Sequence, residues 1–443
     1  MLTDWQLFRD RIEKQAARLV VIGLGYVGLP VAASFAQSGF QVIGLDVDKA
    51  KVARINIGDC PIEGKEPGLP ELISEVITTR RLQATIDYAV CRDAEIVLIA
   101  VETPIDSVRQ PRYRALRSAL RSLESNLRPG AMVIVESTIA PGTIHRLIRP
   151  TLEAGGRRKS GRDFYLVHCP ERVMPGRLLE NLTGMSRIIG GDTPDAAELA
   201  KVFYQHVVQA ELDLADCVTA ELVKTAENAY RDVQIAFANE LALICEQVGA
   251  DVWRVRELVN KSPGRDVLLP GAGVGGHCIP KDPWLLAYGA RDAITAKLIP
   301  AAREINDYMP LHMAELTVDA LAEVGIGVEG AKVAVLGYAY LENSDDTRNS
   351  PSITLINRLE ELGAHVIVHD PWVQAYQGVL QDCVRGCDAV VVMVKHQAYL
   401  DLDWQQLGKL LRHSVLVDGR RVVAEPELLP DFTFRGIGRS NAS

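Results

Sequence analysis

Short apolar runs punctuated by glycine turns dominate the first part of the chain. Residues 18–24 are rich in Val, Ile and Leu, glycines follow, and 31–38 is again apolar, which predicts strand, tight turn and helix. Residues 41–45 form the next strand-like run, and 95–101 and 131–136 are further apolar runs with helical material between them. Residues 164–168 and 186–190 predict two more strands of the same layer. Strands alternating with helices predict a parallel sheet covered on both faces.

The pattern then changes. From 215 to 248 there is neither Gly nor Pro, and Val218, Leu222, Ala226, Val233, Phe237, Leu241, Ile244 and Val248 recur near helical spacing. This predicts a long helix with more than one apolar stripe, packed on several neighbours. A Gly/Pro-dense loop at 262–283 follows, and then helical sequence through 313–323. At Ala331 the α/β pattern restarts: 332–337, 365–368, 389–394 and 415–418 read as strands, with a helix at 352–362. The expected fold is α/β, two Rossmann-like doubly wound domains joined by a long central helix in a helical middle domain. The expected divisions are 1–212, 213–325 and 326–443.

Composition narrows the class. A length of 443 residues fits two or three domains at about 150 residues each. With 24% charged and 48% hydrophobic residues, wholesale disorder and a collagen-like rod are excluded. The balance of 48 Lys+Arg against 57 Asp+Glu gives a net charge of −9, which argues against non-specific partners such as nucleic acid or anionic lipid. It leaves open a pocket lined locally by Arg and Lys. No run reaches the ~18 unbroken apolar residues of a membrane span, and the charged residues 1–19 hold no signal-peptide core. The eight cysteines are scattered, without a CxxC pair, so reduced thiols in a cytoplasm are expected.

The chemistry lies in three places. Gly23, Gly25 and Gly28 form GxGxxG between a strand and a helix, a turn that lets backbone approach a pyrophosphate at a helix N-terminus. Asp46 ends the next strand about 20 residues on, where an acid accepts from both ribose hydroxyls and repels a 2′-phosphate. The pair favours NAD over NADP; the alternative is an ordinary glycine turn. A second GxGxxG at 271–276 runs into Pro280 and Pro283 and reads as a flexible loop bringing backbone close to a ligand.

That loop contains Cys278, where loop amides and cations can favour the nucleophilic thiolate. Asp282, four residues on, can orient water or act as a general base. A structural thiol is the alternative for Cys278. The adjacent pair His277 and Cys278 lacks the second cluster a metal needs, so no metal is expected. Lys224 and Asn228, one turn apart on the long helix, form a polar patch with Glu221. It is either a solvated stripe or the ammonium and amide that would stabilise an oxyanion formed at a cysteine.

Together these residues resemble the UDP-glucose / UDP-N-acetylmannosamine dehydrogenase family. The likeness runs from Val20 to about Pro371, through GLGYVGLP at 23–30, EPGL at 66–69, ESTIAPGT at 136–143, CPERVMPGR at 169–177, KTAENAYRD at 224–232, PGAGVGGHCIPKDPWLL at 270–286 and NSDDTRNSP at 343–351. The resemblance implies an NAD-binding Rossmann domain, a UDP-binding α/β domain and a dimerising central helix, hence a homodimer or higher homo-oligomer. It implies oxidation of a UDP-sugar C6 alcohol to the acid with two NAD⁺ in succession, through a thiohemiacetal and thioester on Cys278, for surface polysaccharide synthesis. NAD would be held by Gly23, Gly25, Tyr26, Val27, Gly28, Asp46, Thr103 and Thr138. Lys224 and Asn228 would stabilise oxyanions, while Thr138, Glu171 and Asp282 would position water or act in acid/base steps. Glu171, Arg172, Val173, Lys224, Asn228, Gly275 and Arg348 would contact the substrate, and Arg265 would reach the substrate of a partner subunit.

The PERVMPG segment resembles the UDP-N-acetylmannosamine enzymes, with Pro175 where UDP-glucose enzymes carry a second glutamate. UDP-N-acetyl-D-mannosamine is therefore the expected substrate, with UDP-N-acetylglucosamine and UDP-glucose as alternatives. Glu102, where many relatives have proline, and Tyr340-Leu341, where many have Phe-Lys, depart from the family pattern. A two-electron β-hydroxyacid-type dehydrogenase and a non-catalytic nucleotide-sugar-binding regulator are the remaining alternatives.

Overall fold

A computed structural model describes residues 5–62 and 64–439. Its first sheet contains β1 (Arg18–Ile22), β2 (Gln41–Leu45), β3 (Leu82–Thr85), β4 (Ile96–Ile99), β5 (Met132–Val135), β6 (Tyr165–His168), β7 (Arg187–Gly191) and β8 (Leu212–Asp216). Their order is β3-β2-β1-β4-β5-β6-β7-β8. Strands β1 to β6 are parallel, β7 runs antiparallel to β6, and β8 follows β7 in parallel. The expected all-parallel layer is thus corrected at its far edge. An apolar run records burial on both faces, not chain direction, so the reversal left no mark in the pattern.

Alternate residues of these strands feed two cores. Leu19, Val21, Ile96 and Leu98 pack with Leu29, Ala32 and Phe35 of helix Gly28–Gln37. Val20, Ile22, Val97 and Ile99 pack on the opposite face with Leu116, Leu120 and Leu123 of helix Arg114–Glu124. Each large apolar side chain removed from water contributes about 1.5–3 kcal/mol, so this two-sided burial outweighs local propensity. Strand order reverses between β1 and β4, and at such a point the loops leaving the strands open a crevice for a ligand.

The second sheet contains β9 (Lys332–Leu336), β10 (His365–His369), β11 (Ala389–Val392), β12 (Val415–Asp418) and β13 (Thr433–Gly436) in the order β10-β9-β11-β12-β13. All its pairings are parallel, and it too has an apolar core on each face. Its order reverses between β9 and β11. The sequence pattern missed β3, β8 and β13, which are all edge strands; LQAT, LDLAD and TFRG carry few apolar side chains because an edge buries less.

The long helix is Cys217–Val248. The helix expected at 313–323 is the end of a longer one, Leu298–Glu323, which contains Pro310. That proline reads as a break in sequence, yet a helix can carry one when its buried face is strong, and Met309, Met313, Leu316 and Leu321 are all buried. Contacts divide the chain into two compact units: one runs up to Glu227 and includes Trp284–Thr295, and the other comprises Asn228–Pro283 and the chain from Ala296 onward. Among the described residues no helix is long and apolar enough to cross a membrane.

Candidate active site

In the first unit the three glycines after β1 serve three different needs. Gly23 has φ +93°, and a Cβ there would lie 2.5 Å from the Ala100 carbonyl oxygen, so the turn itself demands glycine. A Cβ on Gly28 would overlap the Gly23 carbonyl, so the helix start packs directly on the turn. A Cβ on Gly25 would meet nothing within 4 Å. The protein gives no steric reason for that glycine, and the remaining one is close approach by a ligand to the backbone. The turn therefore fits the pyrophosphate of NAD.

Asp46, directly after β2, is buried. Its Oδ2 accepts from the Leu24 amide at 2.8 Å and from Lys51 Nζ at 3.1 Å, and its Oδ1 accepts from the Asp48 amide at 3.0 Å. Burial opposes its charge, but the Asp48 and Leu24 amides and the Lys51 ammonium together hold the carboxyl below the usual carboxylate range. It is thus an acceptor in place for hydroxyls. Tyr26 donates to Glu66, which also accepts from the Gly176 amide at 2.8 Å. Glu66 so ties the glycine turn to the loop of the PERVMPG segment. Thr103 and Thr138 lie together beyond β4 and β5: Thr103 Oγ1 donates to the Thr138 carbonyl at 2.6 Å.

A buried ionic cluster stands behind that edge. Arg187 Nη1 lies 2.6 Å from Glu171 Oε2 and 3.3 Å from Glu136 Oε1, and Tyr204 donates to Glu136 at 2.7 Å. Burial, reinforced by the neighbouring Glu171 charge, pushes the Glu136 carboxyl up to about 7 against the pull of Arg187. Glu171 is thus anchored by a guanidinium. Arg172 is committed elsewhere: it forks onto Glu227 and donates to the Ser186 carbonyl at 2.7 Å. Val173 packs at the edge of the core. On the long helix Glu221 is fully buried and Lys224 is 7% exposed, so the solvated-stripe reading fails there. Glu221 accepts from the Gly142 and Ile144 amides at 2.5 and 2.7 Å. The Lys224 ammonium makes no ion pair among the described residues.

In the second unit the cysteine loop is clamped. Gly276, at φ +88°, donates its amide to the Arg348 carbonyl at 2.8 Å and accepts from Asn349 Nδ2 at 3.0 Å. A Cβ on Gly275 would crowd Tyr340 and lie 2.9 Å from the Asn349 carbonyl, and one on Gly273 would lie 2.8 Å from Pro351. The expectation of a flexible loop is corrected: these glycines are spent on close packing, and Gly275 can offer a ligand only its backbone. Cys278 is exposed at the tip. Its carbonyl accepts from the Asp282 amide at 2.8 Å, closing the turn into helix Asp282–Gly289. Pro283 stands in the first turn of that helix, where a missing amide costs nothing.

Asp282 is fully buried and held from two sides, by Asn228 Nδ2 at 2.6 Å and by Lys281 Nζ at 2.9 Å. His277, beside the thiol, is lowered by burial and by the Lys281 and Arg348 charges, which favour the neutral imidazole. Arg348 chelates Asp346, with Nε 2.9 Å from Oδ1 and Nη2 2.5 Å from Oδ2. Arg265 bonds within its own loop, its side chain donating to the Pro263 carbonyl at 2.9 Å and its amide to the Ser262 carbonyl at 3.2 Å.

Three stretches of the chain match the UDP-glucose/GDP-mannose dehydrogenase family: its NAD binding domain over 17–208, its central domain over 218–308 and its UDP binding domain over 334–425. The chain belongs to that family. It is 40% identical over 424 residues to the UDP-N-acetyl-D-mannosamine dehydrogenase of Pyrococcus horikoshii, covering 96% of this chain and all of the relative. The solved UDP-D-ManNAc dehydrogenase from the same organism superposes with a TM-score of 0.89, covering 95% of this chain and 99% of that one. An NDP-N-acetyl-D-galactosaminuronic acid dehydrogenase from Methanosarcina mazei gives 0.85 at 38% identity, covering 97% and 98%. The UDP-N-acetyl-mannosamine dehydrogenase of Staphylococcus aureus gives 0.84 at 34% identity, covering 96% and 99%.

Membership makes the N-terminal unit an NAD-binding domain, as its glycine turn requires. Several residues around this dehydrogenase site were not singled out in sequence. Lys281 lies inside a motif, but an isolated lysine gives no sign that it will be buried against a carboxylate. Arg187 and Glu136 come from β7 and the end of β5, and their 51-residue separation hides the pairing. Glu66 was visible only as part of EPGL.

Proposed function

We propose that this chain oxidises the C6 alcohol of UDP-N-acetyl-D-mannosamine to the carboxylate through a covalent intermediate on Cys278. The observation that carries this reading is an exposed thiol, Cys278, on a clamped turn whose carbonyl accepts from the amide of Asp282, a buried carboxylate held by Asn228 and Lys281. Bound NAD⁺ supplies a hydride acceptor, and the four-electron change from alcohol to acid consumes two in succession. The Cys278 thiolate adds to the C6 aldehyde and forms a C–S bond. Lys224, buried and in no ion pair among the described residues, and Asn228 stabilise the resulting oxyanion. At the thioester stage water attacks the carbonyl and the thiolate leaves. Asp282, Glu171 and Thr138 position that water, and a carboxylate takes its proton. Gly275, Arg172, Val173 and Arg348 contact the UDP-sugar, Arg265 reaches the substrate of a second copy, and Arg348 then shares its guanidinium between Asp346 and a phosphate. The reduced thiol this chemistry needs is the state a cytoplasm maintains.

The PERVMPG loop, fastened through Glu66, supports the N-acetylmannosamine reading over UDP-glucose. The likeness to the Methanosarcina mazei enzyme supports a galactosamine-configured sugar as the second reading. Support for self-association comes from the central helix, where Tyr230 is 66%, Phe237 56%, Ile244 52% and Val248 70% exposed, three of them seven residues apart. Such an apolar row suits the same row on a second copy.

The test is the number of NADH formed per sugar consumed with UDP-ManNAc, UDP-GlcNAc, UDP-GalNAc and UDP-glucose. About two per sugar, with UDP-ManNAc preferred, is expected; one per sugar, or acid production by Cys278→Ala, refutes the thioester route.

A further inference from the structure

An open groove of about 740 Å³ runs along helix Arg114–Glu124 in the first unit. It is lined by Arg112, Arg114, Arg117 and Arg121, with Ser118 and Ser122 each next to one of them. Arg114, Arg117 and Arg121 follow each other at three and four residues, so their side chains project along one line of the helix. All four arginines are exposed, and none makes an ion pair among the described residues. On the chain as a whole acids outnumber bases, so a purely cationic face is not a by-product of composition.

Local structure does not explain it either. Like charges at these spacings repel, and Arg114 stands at the helix N-terminus, where the helix dipole disfavours a cation. The one acid within reach on this helix, Glu124, is already taken by Arg157 at 3.1 Å and Arg158 at 3.5 Å. Arg109 nearby is different, because it stacks on the Trp284 ring at 4.2 Å. The buried side of the helix accounts for Leu116, Leu120 and Leu123 and leaves the arginines without a structural task.

The groove is also separate from the dinucleotide turn. Helix Arg114–Glu124 and helix Gly28–Gln37 pack on opposite faces of the sheet. We propose that the arginine groove binds a small molecule bearing a chain of phosphate groups, a nucleoside triphosphate or an inorganic polyphosphate. From Arg114 to Arg121 the helix advances about 10 Å, which matches several adjacent anionic groups rather than one. Guanidinium forks meet phosphate oxygens two at a time, and serine hydroxyls add donors. The groove is open and walled by the single stretch 111–122, so it suits a short phosphate chain lying along the helix, and the acidic remainder of the chain disfavours a long polyanion.

The experiment titrates inorganic tripolyphosphate and, separately, ATP into the full chain at saturating NAD and about 50 mM salt. Wild type is compared with Arg117→Glu/Arg121→Glu and with Arg117→Lys/Arg121→Lys. Saturable tripolyphosphate binding, weakened at least about tenfold in the Glu pair and largely kept in the Lys pair, is expected. NAD affinity should be equal in all three, which shows that the variants are folded. Equal affinity for ATP and tripolyphosphate assigns recognition to the phosphate chain; tighter ATP adds the nucleoside. Absence of saturable binding, or unchanged affinity in the Glu pair, overturns the proposal. So does retention of duplex DNA or anionic vesicles in place of the small anion.

Discussion

Replacing Gly25 by alanine separates a ligand requirement from a folding requirement. The added methyl meets no protein atom within 4 Å, and Gly25 has no positive φ to forfeit. The apo protein should therefore keep its stability, or gain about 0.4–1 kcal/mol because alanine restricts the unfolded chain more than glycine does. The methyl instead occupies space that a pyrophosphate needs against the backbone. Losing one charge-assisted amide–phosphate bond costs about 1.5–3 kcal/mol, so the Kd for NAD should rise roughly 10- to 150-fold. Gly28→Ala is the contrast, because its Cβ would overlap the Gly23 carbonyl and the apo protein must melt earlier. The assay is thermal melting of both variants with and without NAD, together with an NAD titration. At about 100 Kd of NAD the wild type should gain ~2.7 kcal/mol, and Gly25→Ala should gain much less. Wild-type NAD affinity in Gly25→Ala, or an apo melt as low as that of Gly28→Ala, refutes the assignment of Gly25 to the cofactor.

Two further outcomes follow from buried charge and exposed apolar surface. Burial pushes the Glu221 carboxyl up to about 7 from near 4.5, against the Ile144 and Gly142 amides, so the folded state holds its proton more tightly than the unfolded one. Stability from this group is complete below pH ~4.5 and is lost, by up to about 3 kcal/mol, as pH rises through 7; denaturant midpoints at pH 5 and 7.5 should fall less in Glu221→Gln than in wild type, and equal slopes would exclude Glu221 as the source. Phe237→Glu with Ile244→Glu should leave a folded monomer by sedimentation, and an undisturbed assembly would show that the exposed row is not the contact.

Much of the fold was legible because it depends on nearest neighbours and on period. In the strand–turn–helix at 18–37 and the proline-free helix Cys217–Val248, turn residues mark the ends and apolar spacing states which faces are buried. What period cannot encode is direction and continuity across an exception. The reversal of β7 and the passage of helix Leu298–Glu323 through Pro310 are settled by what lies beside them, and the short edge strands β3, β8 and β13 owe their extended form to pairing with a neighbour.

The site divides along the same line. Sequence by itself determined the glycine turn, Asp46 and the exposed position of Cys278, since turn geometry and a strand-end acid are local properties. It also placed Lys224 and Asn228 one helical turn apart. Tertiary structure decided which of the chosen groups have their charge met. It fastened Asp282 between Asn228 and Lys281, bound Glu171 to Arg187, and committed Arg172 to Glu227. It turned Gly273, Gly275 and Gly276 into packing surfaces for Pro351 and Tyr340. Those outcomes rest on desolvation and on contacts between residues dozens of positions apart. Whether a charge is met by a partner depends on what the fold buries beside it, and no local pattern records that.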